Sequence, residues 1–306
     1  RKDFRIPKKI KHFLISNLKD QYENDDNKFF FKNKPKLEEF IAKLYAASLI
    51  NIPVCVHGPT GAGKTSSARE FARIRPLNNK YKESFLMQTF HAETKPKDLY
   101  GTTTIKNEKI DFINGTLTIA MKNGLTFIAD EMNLSSSLTM KSLAPALEPI
   151  NGQSIYIPGV DEPVEIDPDF FFIACQNDIG TIGRSQIPQS IASRFRYFEY
   201  PNQEDKDISP ICLDIAKSLY NKIDQHFAIN ASAVGKYMFE LNKLKNNIIP
   251  QWSLRDINKL FLRIHYQDEK HENFVGMDIY KNLLFYTLSP VNNDYIDEVL
   301  DTVIDL

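Results

Sequence analysis

Short apolar runs recur through the first two thirds of the chain, and helical or turn-rich segments separate them. The runs cover residues 52–57, 84–90, 125–129 and 170–175. Each is short and rich in β-branched or other apolar residues, which is typical of a buried strand. Strands of this kind, alternating with helices, predict a parallel sheet with covered faces. The expected fold class is therefore α/β.

Helical periodicity marks the segments around the first predicted strand and the last third of the chain. Residues 37–49 and 66–75 show it first, and beyond about residue 205 the strand signals fade. Three further helices are predicted there, over residues 211–226, 232–244 and 254–265. We therefore expect a lead-in over residues 1–34, a large α/β domain over 35–204 and a small α-helical domain over 205–306.

Two intervals inside the α/β part have the pattern of β-hairpins. In residues 102–115, two strand-like segments flank the polar residues 106–109, and in residues 154–166 two such segments flank residues 158–162. We expect both hairpins to be placed on the sheet core as additions to it.

Composition removes several classes of function. Lys and Arg total 38 against 39 for Asp and Glu, so the net charge does not favour nucleic acid or an anionic membrane as a partner. No apolar stretch approaches the ~20 residues that a membrane span needs. The widely spaced Cys55, Cys175 and Cys212 indicate buried free thiols in a reducing compartment, the cytoplasm or nucleus. The first residue is Arg, and we expect this sequence to be a segment of a longer chain.

The strongest chemical signal is a glycine-rich segment between the first predicted strand and the next helix. It reads Gly58, Pro59, Thr60, Gly61, Ala62, Gly63, Lys64, Thr65, followed by Ser66. This is the phosphate-loop pattern, in which glycines let backbone N–H groups surround a phosphate and the helix N-terminus adds positive potential. Lys64 is expected to bridge the β and γ phosphates, and Thr65 to ligate Mg²⁺.

Polar residues end two other predicted strands. Asp130 and Glu131 follow residues 125–129, and Asn177 follows residues 170–175. Ligands of parallel sheets bind at the carboxyl ends of the strands. We therefore expect Asp130 to hold Mg²⁺, Glu131 to orient the attacking water and Asn177 to sense the γ-phosphate. The alternatives are a solvated acidic turn and an Asn that merely favours a turn.

The order of these motifs, followed by Ser193-Arg194-Phe195 and Ser253-Leu254-Arg255-Asp256, resembles an AAA+ ATPase of the P-loop NTPase fold. Four shorter motifs are similar to those of the midasin and dynein-related branch, with relatives among MoxR-type ATPases. They are residues 98–101, residues 115–117 with Ala120, residues 130–134 and residues 147–149 (Leu-Glu-Pro). The resemblance covers about residues 37–263.

The resemblance implies roles that residue patterns alone do not assign. Arg194 would be an arginine finger that reaches the γ-phosphate of a neighbouring module, and Arg255 a second sensor from the helical domain. Arg184 matches a Gly-Arg element of midasin-like modules, where it either contacts a neighbour or steadies a loop. Without the resemblance, Arg194 and Arg255 read as ordinary surface cations.

The family would make this chain an ATPase that uses ATP and Mg²⁺. It would work beside neighbouring AAA+ modules, in a homohexamer or in a ring built within one chain, and remodel a protein complex. Two alternatives stay open: a non-hydrolysing structural or regulatory nucleotide-binding module, and a GTPase of the methylcytosine-restriction type.

Overall fold

A computed structural model of the chain describes most of the first 201 residues and part of the rest. The described residues are 10–12, 14–16, 34–76, 84–106, 109–148, 154–157, 163–177, 186–201, 208, 210–215, 225–243 and 253–268. They form two compact units. The first includes residues 35–60 and 64–201, and the second includes Lys34, residues 61–63 and the described residues from 208 onward.

A five-stranded parallel sheet is the centre of the first unit. Its strands are β1 (Val54–Gly58), β2 (Phe85–Thr89), β5 (Thr126–Asp130), β8 (Phe171–Asn177) and β9 (Arg196–Glu199). Their order across the sheet is β2-β5-β8-β1-β9. The four strands that the apolar runs predict are all present, each within a few residues of its expected bounds. The α/β prediction with a parallel sheet is therefore confirmed.

Strand β9 is the one strand of this sheet that the sequence pattern missed. Its two end residues are exposed and its two middle residues are partly buried, and within the described residues it pairs with β1 at the sheet edge. An edge strand needs no continuous apolar run. Because Arg196 and Glu199 are charged, these four residues lack the apolar pattern that predicts a buried strand.

Helices precede and connect the strands. Residues 10–12 and 14–16 of the first unit are helical. The helices that follow in this unit are α1 (Pro35–Ser48), α2 (Lys64–Ile74), α3 (Pro96–Tyr100), α4 (Thr116–Lys122), α5 (Ser137–Ser142) and α6 (Gln189–Ala192), with 3-10 turns at Met132–Leu134 and Ala144–Leu147. Helix α2 carries the phosphate-loop lysine at its start and buries Ala68, Phe71 and Ala72 completely. This apolar face fixes α2 on the sheet, and with it the end of the loop.

Both predicted hairpins are present. Strands β3 (Gly101–Lys106) and β4 (Lys109–Asn114) pair over their full length, from Gly101 opposite Asn114 to Lys106 opposite Lys109. The second hairpin is shorter than expected. It consists of β6 (Ser154–Ile155) and β7 (Val164–Glu165), two residues each.

A buried arginine joins the end of α2 to the sheet. Arg75 is 6% exposed and donates to Thr126 Oγ1 at 3.0 Å and to the carbonyl oxygen of Asp169. Its guanidinium also lies 5.4 Å from the ring centroid of Phe171. Burial lowers the pKa of Arg75 to about 10, against the opposing attraction of Asp169 and Asp167. The cation therefore stays charged at neutral pH, held by hydrogen bonds rather than by water.

From residue 208 onward, the described part of the second unit is almost wholly helical, as predicted. Residues 210–215 are helical, α7 is Gln225–Lys243 and α8 is Leu254–Asp268. Its apolar core comprises Cys212, Ala231, Val234, Met238, Ile257, Leu260 and Phe261. Residues 216–224 of the first predicted helix lie outside the described residues, and Gln225 and His226 already belong to α7. None of the helices in the described ranges is long and apolar enough to cross a membrane.

Candidate active site

Sheet register brings the carboxyl ends of three neighbouring strands, β5, β8 and β1, to the same side of the sheet. Gly58 at the end of β1 lies opposite Asn177 at the end of β8, and Asp130 at the end of β5 lies opposite Cys175. The loop after β1, the carboxylates after β5 and the amide of Asn177 therefore meet where parallel sheets bind ligands.

The phosphate loop has the backbone that its glycines were expected to allow. Gly58, Gly61 and Gly63 have φ values of 152°, 73° and 102°, a region that side chains with a Cβ rarely occupy. A Cβ on Gly58 would lie 3.2 Å from Cβ of Tyr200. Within the loop, Pro59 and Thr60 are exposed, Ala62 is half-buried, and the helix begins at Lys64 and continues through exposed Ser66.

Lys64 is a buried cation whose ammonium lies among three oxygen atoms. Only 6% of it is exposed, and Nζ donates to the carbonyl oxygens of Gly58 at 2.9 Å and Pro59 at 2.6 Å. Its third described bond goes to Oδ1 of Asn177 at 2.7 Å. These hydrogen bonds fix the positive charge of Lys64 between the phosphate loop and the end of β8.

Thr65 and Asp130 form the oxygen pair that the sequence assigned to a metal. Thr65 Oγ1 donates to Asp130 Oδ1 at 2.8 Å. A hydroxyl and a carboxylate are ligands that Mg²⁺ accepts, usually with waters and phosphate oxygens completing its shell. No group of three or more His, Cys, Asp or Glu in the described parts of the chain could hold a metal ion by itself. As donors, one hydroxyl and one carboxylate fit a cation that also takes phosphate and water oxygens as ligands.

Glu131 has a strained backbone. Its φ of 54° and ψ of 35° place it in the left-handed region, immediately before the 3-10 turn at Met132–Leu134. Asn177 donates from Nδ2 to Glu131 Oε1 at 2.6 Å. Asn177 therefore holds Lys64 with its amide oxygen and Glu131 with its amide nitrogen. Strain at a non-glycine residue is typical of functional sites, because the surrounding contacts must maintain it.

Two buried side chains that the sequence did not single out contact the elements that carry the site residues. Asn133 is 1% exposed and its Nδ2 lies 3.5 Å from the carbonyl oxygen of Asn177. Tyr200 is 1% exposed, and its hydroxyl forms a 2.8 Å hydrogen bond with Ser67 Oγ on α2. Neither side chain belongs to a short motif with its partner, so only strand and helix placement reveals the contacts.

Cys175 is buried in β8 beside the carboxylates. Burial raises the pKa of its thiol well above the usual value, and the nearby charge of Asp130 raises it further. The thiol is therefore protonated at neutral pH and forms an inert wall of the site. Cys55 and Cys212 are also buried and free, as the cysteine spacing predicted.

Arg194 and Arg255, the two described arginines that were predicted to reach a nucleotide, belong to different units. Arg194 lies just beyond α6, where Nε and Nη2 are each 2.7 Å from Glu148 Oε1, and Nη1 donates to the carbonyl oxygen of Ser190. Arg255 is exposed in the first turn of α8, next to Asp256, whose carboxylate accepts from the backbone N–H and the hydroxyl of Ser253. Arg184 lies outside the described residues.

Comparison with known proteins matches the sheet and the site to one domain family. Residues 53–195 match the family model described as AAA domain (dynein-related subfamily). This range contains the phosphate loop, both carboxylates, Asn177 and Arg194. The resemblance to the midasin and dynein-related branch is confirmed.

Two of the curated relatives are much longer than this chain, which matches a small part of each. It is 23% identical over 228 residues to midasin from Giardia intestinalis and 28% identical over 227 residues to midasin from Dictyostelium discoideum. These matches span 72% and 70% of this chain, but 4% of each midasin. A crystal structure from Cytophaga hutchinsonii, 14% identical, covers 97% of this chain and 96% of that chain with a TM-score of 0.49. That likeness is too low to add to the assignment.

Proposed function

Because residues 53–195 belong to the dynein-related AAA domain family of ATPases, we propose that this chain is an ATP-binding and ATP-hydrolysing AAA+ module that uses Mg²⁺. One observation carries the proposal. Asn177 is hydrogen-bonded to both Lys64 and Glu131, so a phosphate-binding cation and a candidate general base meet at one amide. A solvated acidic turn would not be tied to a buried lysine in this way.

The residues divide the work of phosphoryl transfer. Lys64 and the N–H groups of the loop from Gly58 to Thr65 bind the phosphates, and Thr65 and Asp130 hold Mg²⁺. Mg²⁺, when bound, neutralises charge on the phosphate oxygens. Glu131 orients the attacking water and accepts its proton, while Asn177 keeps the Glu131 carboxylate in place. Since this chemistry depends mainly on positioning and charge, hydrogen bonds that immobilise these groups are what it needs.

Assembly with neighbouring AAA+ modules completes the site in our proposal. Arg194 would contribute from one module to the nucleotide of the next, and Arg255 would sense nucleotide from the helical domain over residues 205–306. The ring would be a homohexamer or a set of modules within one chain, and hydrolysis would remodel a protein complex. The matches to two midasins support this reading of the assembly. Three buried free thiols fit a cytoplasmic or nuclear location.

The experiment that tests this function is steady-state MgATP hydrolysis per mole of protein across a wide range of protein concentration. We expect the specific activity to rise with concentration and to be lost in Arg194→Ala. ATP binding without turnover at any concentration would instead favour a structural nucleotide module. Competition with GTP in the same assay separates the ATPase from a GTPase of the restriction type.

A further inference from the structure

Glu148 holds the side chain of Arg194 within its own chain. It follows the 3-10 turn at Ala144–Leu147, whereas Arg194 follows α6, so the contact joins two separate elements. Nε and Nη2 of Arg194 both lie 2.7 Å from Glu148 Oε1, and Nη1 donates to the carbonyl oxygen of Ser190. The side chains are 27% and 57% exposed, so the pair is open to a ligand from outside.

The guanidinium retains donors after these contacts are made. Arginine has five N–H groups in a rigid plane, and the contacts recorded among the described residues use one on each of its three nitrogens. One N–H on Nη1 and one on Nη2 remain for another acceptor. A phosphate accepts such a pair of N–H groups in a bidentate contact. The ion pair therefore restrains the arginine without using up its capacity to bind phosphate.

A restrained arginine is better prepared for a contact across an interface than a mobile one. Its long side chain otherwise loses rotamer freedom when it binds. The carboxylate of Glu148 fixes the plane of the guanidinium, and the carbonyl of Ser190 fixes its rotation. Because Glu148 is more than half exposed, solvent screens its charge, and its repulsion of a phosphate is weakened.

We propose that Glu148 is a positioning residue that orients Arg194 toward a phosphate group of a neighbouring module. This inference rests on the proposed function, since it assumes that Arg194 acts in trans. The proposal also gives a role to Glu148 of the Leu-Glu-Pro motif at residues 147–149. The phosphate-binding and hydrolysis steps described above do not involve this motif.

Mixing two inactive variants tests the inference. Arg194→Ala keeps its own nucleotide site but lacks the arginine, and Glu131→Gln keeps the arginine but cannot hydrolyse. The mixture should recover MgATP turnover, because the second variant supplies Arg194 to the site of the first. When the donor is instead Glu131→Gln with Glu148→Gln, we expect recovered turnover to fall about tenfold or more, since misplacement costs rate.

Control variants separate positioning from folding and binding. Glu131→Gln with Glu39→Gln removes the same charge from another partly exposed ion pair, Glu39 with Lys43 at 3.3 Å, and should recover turnover as fully as Glu131→Gln. Glu148→Gln alone, mixed with the Glu131→Gln donor, should regain turnover because its own site is intact. Its ATP affinity and thermal midpoint should match those of the unmodified chain, and Glu148→Asp should be intermediate in turnover.

Each outcome decides the question. Equal recovery with and without Glu148 overturns the positioning role while leaving the trans arginine in place. Higher recovery without Glu148 also overturns it, because Glu148 would then hold Arg194 back. Failure of the Glu131→Gln donor alone to restore any turnover overturns the trans arrangement in the proposed function, and the inference with it.

Discussion

The amide nitrogen of Asn177 lies 2.6 Å from Oε1 of Glu131, and this hydrogen bond ties the end of β8 to the turn after β5. The amide oxygen of the same residue accepts from Lys64 at 2.7 Å. An amide suits this position because it can accept from a cation and donate to a carboxylate at once. Asn177 therefore connects the buried lysine of the phosphate loop to the carboxylate of Glu131.

Replacing Glu131 by Gln should separate binding from hydrolysis. Gln keeps an oxygen that can accept from Asn177, but it cannot take a proton from water. We expect turnover to fall by roughly 10²–10⁴-fold, the usual contribution of a general base, while ATP affinity stays within about threefold. Phosphate release and equilibrium dialysis measure the two quantities. Retained turnover would remove Glu131 from the mechanism.

Lys64→Ala should abolish tight ATP binding. The substitution removes a buried charge-assisted donor, which is worth about 1.5–3 kcal/mol and thus roughly 10–100-fold in affinity. Calorimetric titration with MgATP measures the loss, and the thermal midpoint checks that the protein still folds. Lys43→Ala, which removes a half-buried lysine from an ion pair on α1, should bind ATP normally. Equal affinities in the two variants would contradict the role of Lys64.

Asn177→Asp should be more harmful to turnover than Asn177→Ala. The aspartate puts a second carboxylate where the amide nitrogen now lies 2.6 Å from Glu131, and the two negative charges repel. Alanine removes the hydrogen bonds without adding charge. We expect about 10²-fold lower kcat for Ala and a larger loss for Asp, measured at saturating ATP. Full activity of the Asp variant would show that the observed contact is irrelevant to turnover.

Tyr200→Phe should destabilise the fold beneath the phosphate loop. It deletes the hydroxyl that lies 2.8 Å from Ser67 Oγ, and Ser67 is fully buried. A buried hydroxyl that loses its partner costs about 1–3 kcal/mol in the free energy of unfolding. Urea denaturation measures this. Ser67→Ala combined with Tyr200→Phe should cost less than the sum of the single changes, and strict additivity would argue against the bond.

The three cysteines should resist thiol reagents in the folded protein. All are buried, and burial raises the pKa of Cys212 to about 12 from 9.0, with upward shifts also at Cys55 and Cys175. Since the thiolate is the reactive form, labelling by a disulfide reagent at pH 8 should be slow. All three should react promptly in guanidinium chloride. Rapid labelling of the native protein would contradict the burial.

Local patterns predicted much of the fold, because apolar residues recur at a different spacing in a helix than in a strand when one face packs on the core. Phosphate-loop spacing likewise predicted a glycine-rich turn between a strand and a helix, since all of its residues are adjacent in the chain. Pairing between distant segments was not accessible in this way. The contacts of Asn177 with Lys64 and of Arg194 with Glu148 depend on register and on helix placement, which no short motif encodes.

The functional roles of Arg194 and Arg255 came from resemblance, and their geometry with a nucleotide stays a prediction. Strand β9 shows the opposite limit. Its four residues, exposed at both ends and only partly buried between, gave too weak a signal, although its pairing with β1 supports the strand that leads into Gly58. Whether an edge segment forms a strand depends on its pairing with the neighbouring strand as much as on its own side chains.

The register of β8 also bears on which lengths of chain can vary among related sequences. Alternate residues of a strand point to opposite faces, so inserting one residue between Phe171 and Asn177 would turn the amide away from Lys64 while most of the sheet pairing could re-form. The β3–β4 hairpin has no such restriction, because added residues at its tip do not alter the pairing of Gly101 with Asn114. Natural variants of this domain should therefore differ freely in hairpin length and hardly at all in the length of β8.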